Sequence, residues 1–148
     1  MSESFLRDAI LDGEVFLPAG AVGEPFVDID DIADVVVEAL TGVGQSGRIY
    51  ELTGLRLLTF EQAIAGISAA VGRPIRYTQV SLDEFAAALK AQQVPQDLTW
   101  LMTYLFSEVL DGRNESLADG VREALGRPPG DFADYARAIA ATGVWTGG

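Results

Sequence analysis

The 148-residue chain contains no cysteine, no histidine and a single lysine, Lys90. Without cysteine there is no disulfide framework, no thiolate zinc site and no thiol nucleophile. Without histidine the usual triad base and the commonest transition-metal ligand are gone, so no metal site is expected. Positive charge is scarce: 10 Lys and Arg stand against 22 Asp and Glu, a net charge of −12 and a pI near 4.2. Duplex nucleic acid and anionic membranes are gripped by Lys/Arg patches, so neither is an expected partner. A run of about 20 apolar residues, enough to span a bilayer, is missing too. The first residues carry acids and no apolar h-region, which excludes a secretory signal. The expectation is a soluble, acidic, cytoplasmic protein.

Hydrophobic residues make up 49% and charged residues 22%. That is a globular composition, long enough for one domain, residues 1–148, to bury a core unaided. Apolar spacing predicts a helix from Glu3 to Leu11, stopped by Gly13. Glu14–Leu17 reads as a strand, and Pro25–Ile29 as another. Asp30 or Asp31 looks like the cap of a helix whose face is Ile32, Val35, Val36, Ala39 and Leu40, widened by Ala33 and Val37 so that it should sit deep. Arg48–Thr53 reads as a third strand and Ile75–Val80 as a fourth. Thr59 with Gln62 and Ser81 with Glu84 form capping boxes that open two helices. Further helices are predicted from Pro95 to Asp111, around Leu117–Leu125, and from Asp131 to Ala141. The class is therefore α/β: a small mixed sheet followed by a helical C-terminal half.

Gly42-Val43-Gly44-Gln45-Ser46-Gly47 matches G-x-G-x-x-G by letter. A dinucleotide loop must leave a strand and open a helix. This one leaves a helix and enters a predicted strand, so it reads as a turn and no cofactor site is assigned. Asp28, Asp30, Asp31 and Asp34 form an acid cluster that caps and dipole partners explain. Asp28 alone has strand neighbours and could face a cleft. On the Pro95–Asp111 helix, Leu98, Leu101, Met102, Leu105 and Val109 read as the core face. Trp100, Thr103, Tyr104 and Ser107 form a second face, suited to core packing, to a pocket or to a subunit interface. Asp28, Glu51 and Tyr77 are the candidate catalytic groups, and Phe26, Trp100, Thr103 and Tyr104 the candidate substrate contacts.

Several stretches together resemble the C-terminal half of NmrA-like atypical short-chain dehydrogenases, a group with NAD(P)H-binding, ergot-alkaloid reductase-like and redox-sensing members. They are Ser2–Phe5 leading to Phe16–Gly20, Pro25–Ala33, Tyr50–Gly54, Leu58–Phe60, Gly72–Ile75, and Gly126–Pro129 with Asp131, Phe132 and Trp145. The resemblance implies a substrate-binding lobe without the Rossmann half and its glycine loop. A Tyr-x-x-x-Lys pair is absent, since Ala86 stands four residues before Lys90. The expected function is binding of a small hydrophobic ligand, without hydride transfer by this chain alone. Two alternatives stand beside it: a cofactor-independent isomerase or cyclase working through carboxylates and phenols, and a regulatory or partner subunit. A homodimer is expected to cover the surface that the missing half leaves.

Overall fold

The computed structural model describes Met1 and residues 6–146. The first helix, α1, runs Leu6–Asp12; its expected start at Glu3, with Phe5, lies outside the described residues. Gly13 stops it with φ of 83°, a left-handed conformation that only glycine adopts freely. Strand β1 (Glu14–Leu17) follows, with Val15 and Leu17 fully buried and Glu14 and Phe16 exposed. It pairs in parallel with β2 (Arg76–Gln79), Glu14 opposite Arg76 and Leu17 opposite Gln79. Parallel partners need a long crossover. This one contains α2 (Ile29–Thr41) and α3 (Phe60–Val71).

The core sits on one side of this pair. Helix α3 buries Ala63, Ile64 and Ile67 and packs along α7 (Phe132–Ala141), whose Ala136 is fully buried. Trp145 closes the far end, wholly buried and edge-on to Tyr135. The Arg73 guanidinium ties the end of α1 to the segment after α7: its Nη2 donates to the carbonyls of Ile10, Leu11 and Trp145 at 2.6, 3.1 and 3.1 Å. A row of rings, Phe132, Phe26, Phe60, Phe106 and Phe85, joins α7 to α4 (Leu82–Ala91) with centroids 5.2–5.9 Å apart. Then come α5 (Gln96–Tyr104), which continues into a π-helical turn at Leu105–Val109, and the short α6 (Gly120–Leu125). Both capping boxes form as the sequence predicts. No helix among the described residues is long and apolar enough to cross a membrane.

The α/β class and the helical C-terminal half are present, but among the described residues the sheet has two parallel strands. Residues 25–29 are not a strand. Only Glu24 makes an isolated antiparallel bridge, to Leu58, and Ile29 already belongs to α2. Residues 48–53 form no ladder either. Helix α2 does not sit deep: Val35 is buried, while Ile32, Val36, Val37 and Leu40 are exposed. On α5 the buried side is Thr99, Met102 and, one turn on, Phe106, whereas Leu98, Leu101 and Leu105 face outward. In both helices the apolar periodicity is real, but only one flank has something to pack against.

Candidate functional site

The acid cluster is a joint. Asp28, rather than the expected Asp30 or Asp31, caps α2, its carboxylate accepting the Asp30 N–H at 3.2 Å. Asp31, 3% exposed, accepts from Arg127 Nη1 at 2.6 Å and from the Gly130 N–H at 2.7 Å. Arg127 reaches Asp34 as well, also at 2.6 Å. One guanidinium thus locks the first turn of α2 to the loop between α6 and α7. Beside it Arg56 makes a two-point contact with Asp131, the cap of α7. These hydrogen bonds, Arg56 first and the Ala133 N–H second, hold the Asp131 carboxyl below the usual carboxylate range.

The remaining candidates are scattered. Glu51 is exposed, and its backbone carbonyl accepts the Gly120 N–H at 3.2 Å. Tyr77, on β2, donates its hydroxyl to the Ala19 carbonyl at 2.5 Å. Burial, and secondarily the charge of Glu61, raises its phenol pKa. Phe26 belongs to the row of packed rings. Thr103 spends its hydroxyl on the Thr99 carbonyl at 2.8 Å. Trp100 and Tyr104 stack on each other, centroids 5.3 Å apart, and face outward, Trp100 64% exposed.

Among the clefts that indent the surface, four bear on the candidate residues. One of about 280 Å³ lies between α1, β1 and α4, walled by Leu6, Val15, Phe16, Phe85 and Leu89. Another, of about 590 Å³, is an open hollow under Trp100, Gln96 and Asp97. Phe26 lines a third, of about 400 Å³, with Glu24, Val27, Leu110 and Asn114. The fourth, about 330 Å³, is edged by Arg56, Gln62 and Phe132. Asp28, Glu51, Tyr77, Thr103 and Tyr104 line none of the four. The carboxylates and the aromatic pair do not share a cleft among these.

The residue that sequence reasoning missed is Glu24. It is buried, and its Oε1 has no hydrogen-bond partner. Burial raises its pKa, and the nearby charges of Glu115 and Asp111 raise it further. Arg113 holds the Asp111 carboxyl down at about 2, so that neighbour stays charged. No local pattern marks Glu24. Its burial comes from the backbone bridge to Leu58, a contact between distant segments.

The glycine turn is built in the sense opposite to a nucleotide loop. It leaves the C-terminal, negative end of α2, with Gly44 and Gly47 in left-handed conformations. The Glu38 carboxylate fills its concavity, accepting from Gln45 Nε2 at 2.9 Å, and Tyr50 donates in turn to Gln45. A Cβ on Gly42 would fall 2.2 Å from Glu38 Oε1. A pyrophosphate needs donor N–H groups and positive potential. Carbonyl ends and a carboxylate give it neither, so these residues do not fit a dinucleotide.

No protein-family model matches the chain. Individual proteins do. An NAD(P)H azoreductase from Xenophilus azovorans is 34% identical over 129 residues, covering 87% of this chain and 45% of that protein. An agroclavine dehydrogenase from Claviceps fusiformis is 31% identical over 132 residues, or 88% and 46%. In structure the chain superimposes on a triphenylmethane reductase from Citrobacter sp. with a TM-score of 0.78 at 19% identity, over 92% of this chain and 47% of that one. The chain thus spans about half the length of the relatives it matches.

Proposed function

The chain is a partial NmrA-like, atypical short-chain dehydrogenase/reductase, and from that premise we propose that it is the substrate-shaping half of an NAD(P)H-dependent oxidoreductase. In this reading it binds a small hydrophobic molecule and does not transfer hydride alone. The supporting observation is the match itself: it runs along nearly nine-tenths of this chain and less than half of each relative. The chain's one glycine-rich turn sits at the wrong end of a helix for pyrophosphate. The groups suited to an apolar ligand are the stacked Trp100–Tyr104 pair and the cleft beside Phe26. Aromatic faces offer large contact area to a flat apolar molecule at little entropic cost.

Two titrations test this reading. Calorimetry of the chain with NADPH is expected to give no binding at micromolar concentrations, and a micromolar dissociation constant overturns it. A neutral naphthoquinone is expected to quench Trp100 emission saturably, with Trp145 unaffected, and to lose that effect in Trp100→Leu. Quenching that is linear in quinone, or equal in the variant, removes Trp100 from the binding surface.

A further inference from the structure

The carboxyl of Glu24 is buried without a counter-charge. The residue is 7% exposed, and its Oε1 meets no donor among the described residues. The backbone on which it stands is pinned on every side. The Glu24 N–H donates to the Leu58 carbonyl at 2.8 Å, and the Glu24 carbonyl accepts the Leu58 N–H at 3.0 Å. Before it, the Gly23 N–H donates to Glu115 Oε1 at 3.0 Å; after it, the Pro25 carbonyl accepts the Gly54 N–H at 3.1 Å. A buried polar group without a partner is uncommon in a folded protein, and a buried charge without one is costly.

The surroundings do not supply the missing partner. Glu115 and Asp111 are the charges that act on Glu24, and both are negative. The guanidinium beside them, Arg113, is bound to Asp111 at 2.8 Å. Arg56, on the segment that bridges to Glu24, is bound to Asp131, and the single lysine is on α4. Yet Glu24 is not sealed into the core. It lines the cleft of about 400 Å³ together with Pro25, Phe26, Val27, Leu110 and Asn114. Apart from Glu24 and Asn114 these walls are apolar, and the volume suits a molecule the size of naphthalene.

The chemistry of this corner selects among occupants. A metal ion needs several oxygens converging on one point, and no group of three or more acids among the described residues is arranged to hold one. A ligand that offers only acceptors would face carboxylates with no free cation to meet it. A protonated nitrogen on an apolar ring system satisfies both parts: the ring lies on the apolar wall, and the ammonium donates to the orphaned oxygen in a charge-assisted hydrogen bond. We propose that the cleft beside Phe26 binds small molecules that join an aromatic ring system to a protonated amine, with Glu24 as the group that selects the charge. The proposal rests on the reading of the chain as ligand-binding and names the ligand class at this cleft, separately from the Trp100 surface.

The test uses 2-naphthylmethylammonium and 2-naphthylmethanol, which share ring and reach and differ in charge. In calorimetry of the chain at pH 7 the amine is expected to bind at least about tenfold more tightly than the alcohol. Glu24→Gln keeps the side-chain shape and is expected to bring the amine within about threefold of the alcohol, with the alcohol itself unchanged. The amide signals of Val27, Leu110 and Asn114 are expected to shift with the amine. The preference is expected to persist at about 1 M salt, because a buried pair is screened far less than attraction to a surface of net charge −12. A preference that survives Glu24→Gln, or that disappears in salt, belongs to the overall charge and overturns the proposal. Displacement of the amine by Mg²⁺ at constant ionic strength also overturns it, since Glu24 then serves an inorganic cation. If the alcohol binds as tightly as the amine and shifts the same amides, Glu24 selects no charge, and the hydrophobic-ligand reading of the cleft stands without it. If neither compound shifts these amides, the amine site and the cleft's place in the proposed function fall together.

Discussion

Asp31 and Trp100 show how far a residue's type is from its worth. A tryptophan suggests a buried anchor and an aspartate at a helix start suggests an expendable cap, but burial reverses the order. Asp31 is enclosed, with a guanidinium and a backbone N–H aimed at it, while Trp100 leans outward on Tyr104. Removing the Asp31 carboxylate leaves the Gly130 N–H unpaired, and a hydrogen bond to a charged group contributes about 1.5–3 kcal/mol. Arg127 keeps Asp34 and is itself partly exposed, which keeps the loss below that of a fully buried pair. Asp31→Ala is therefore expected to cost about 2 kcal/mol in urea unfolding, and Trp100→Ala less than about 1 kcal/mol. Glu24 provides a pH test. Its folded pKa is raised, so the folded state holds the proton more tightly than the unfolded chain and loses stability as pH rises through that raised value. Glu24→Gln keeps the shape and removes the charge, so it should stabilise the protein at pH 7 by about 1 kcal/mol. Below the ordinary carboxylate range both forms are neutral, and the advantage should vanish. A gain that is the same at pH 7 and pH 3.5 would mean that Glu24 carries no buried charge.

Elements were legible where their causes are local. Both capping boxes, the left-handed stop at Gly13, the helix opening at Asp131 and the strand at Glu14–Leu17 depend on neighbours within a few residues, and all stand as the sequence predicts. The segments 25–29 and 48–53 have strand composition but need a partner strand that the described residues do not supply. They are held by close backbone approaches. Gly54 donates to the Pro25 carbonyl and Gly120 to the Glu51 carbonyl, and Cβ atoms there would lie 1.9 Å from the Phe26 oxygen and 2.2 Å from the Glu51 oxygen. Nothing in the periodicity announces such contacts, because each joins segments far apart in the chain. The strands expected at Asp28 and Glu51 are missing for a related reason: Asp28 caps α2, and Glu51 finds no partner strand among the described residues. Since backbone cannot rotate away as a side chain can, Gly54→Ala and Gly120→Ala should each cost about 2–3 kcal/mol. Gly44→Ala, where a Cβ meets open space and only the φ of 83° opposes it, should cost about 1 kcal/mol. Denaturation midpoints of the three variants check the order.

At the scale of the whole molecule, a charge of −12 and exposed apolar surface oppose each other. Helix α5 and the turn that follows it show Leu98, Trp100, Leu101, Tyr104 and Leu105 to solvent, a patch of aromatic and leucine surface with no cover among the described residues. We propose this patch as the contact surface of the homodimer expected from the sequence. A two-fold contact could set one Trp100–Tyr104 stack against its counterpart, and large flat side chains at the centre of an interface contribute most of its energy. Coulomb repulsion between two acidic copies works against this contact over about 10 Å at 0.1 M salt and about 3 Å at 1 M. Association should therefore strengthen with added salt, the reverse of an ion-pair interface. Light scattering is expected to show a mass nearer the 15.8 kDa monomer at low salt and a rise toward twice that at 1 M. The emission of Trp100 should shift to the blue along the same curve, because that indole leaves water, while buried Trp145 contributes a constant background. Trp100→Ala should abolish both changes, and Val36→Lys, Leu40→Lys should leave them in place. Salt-driven association that survives Trp100→Ala would move the self-contact off α5.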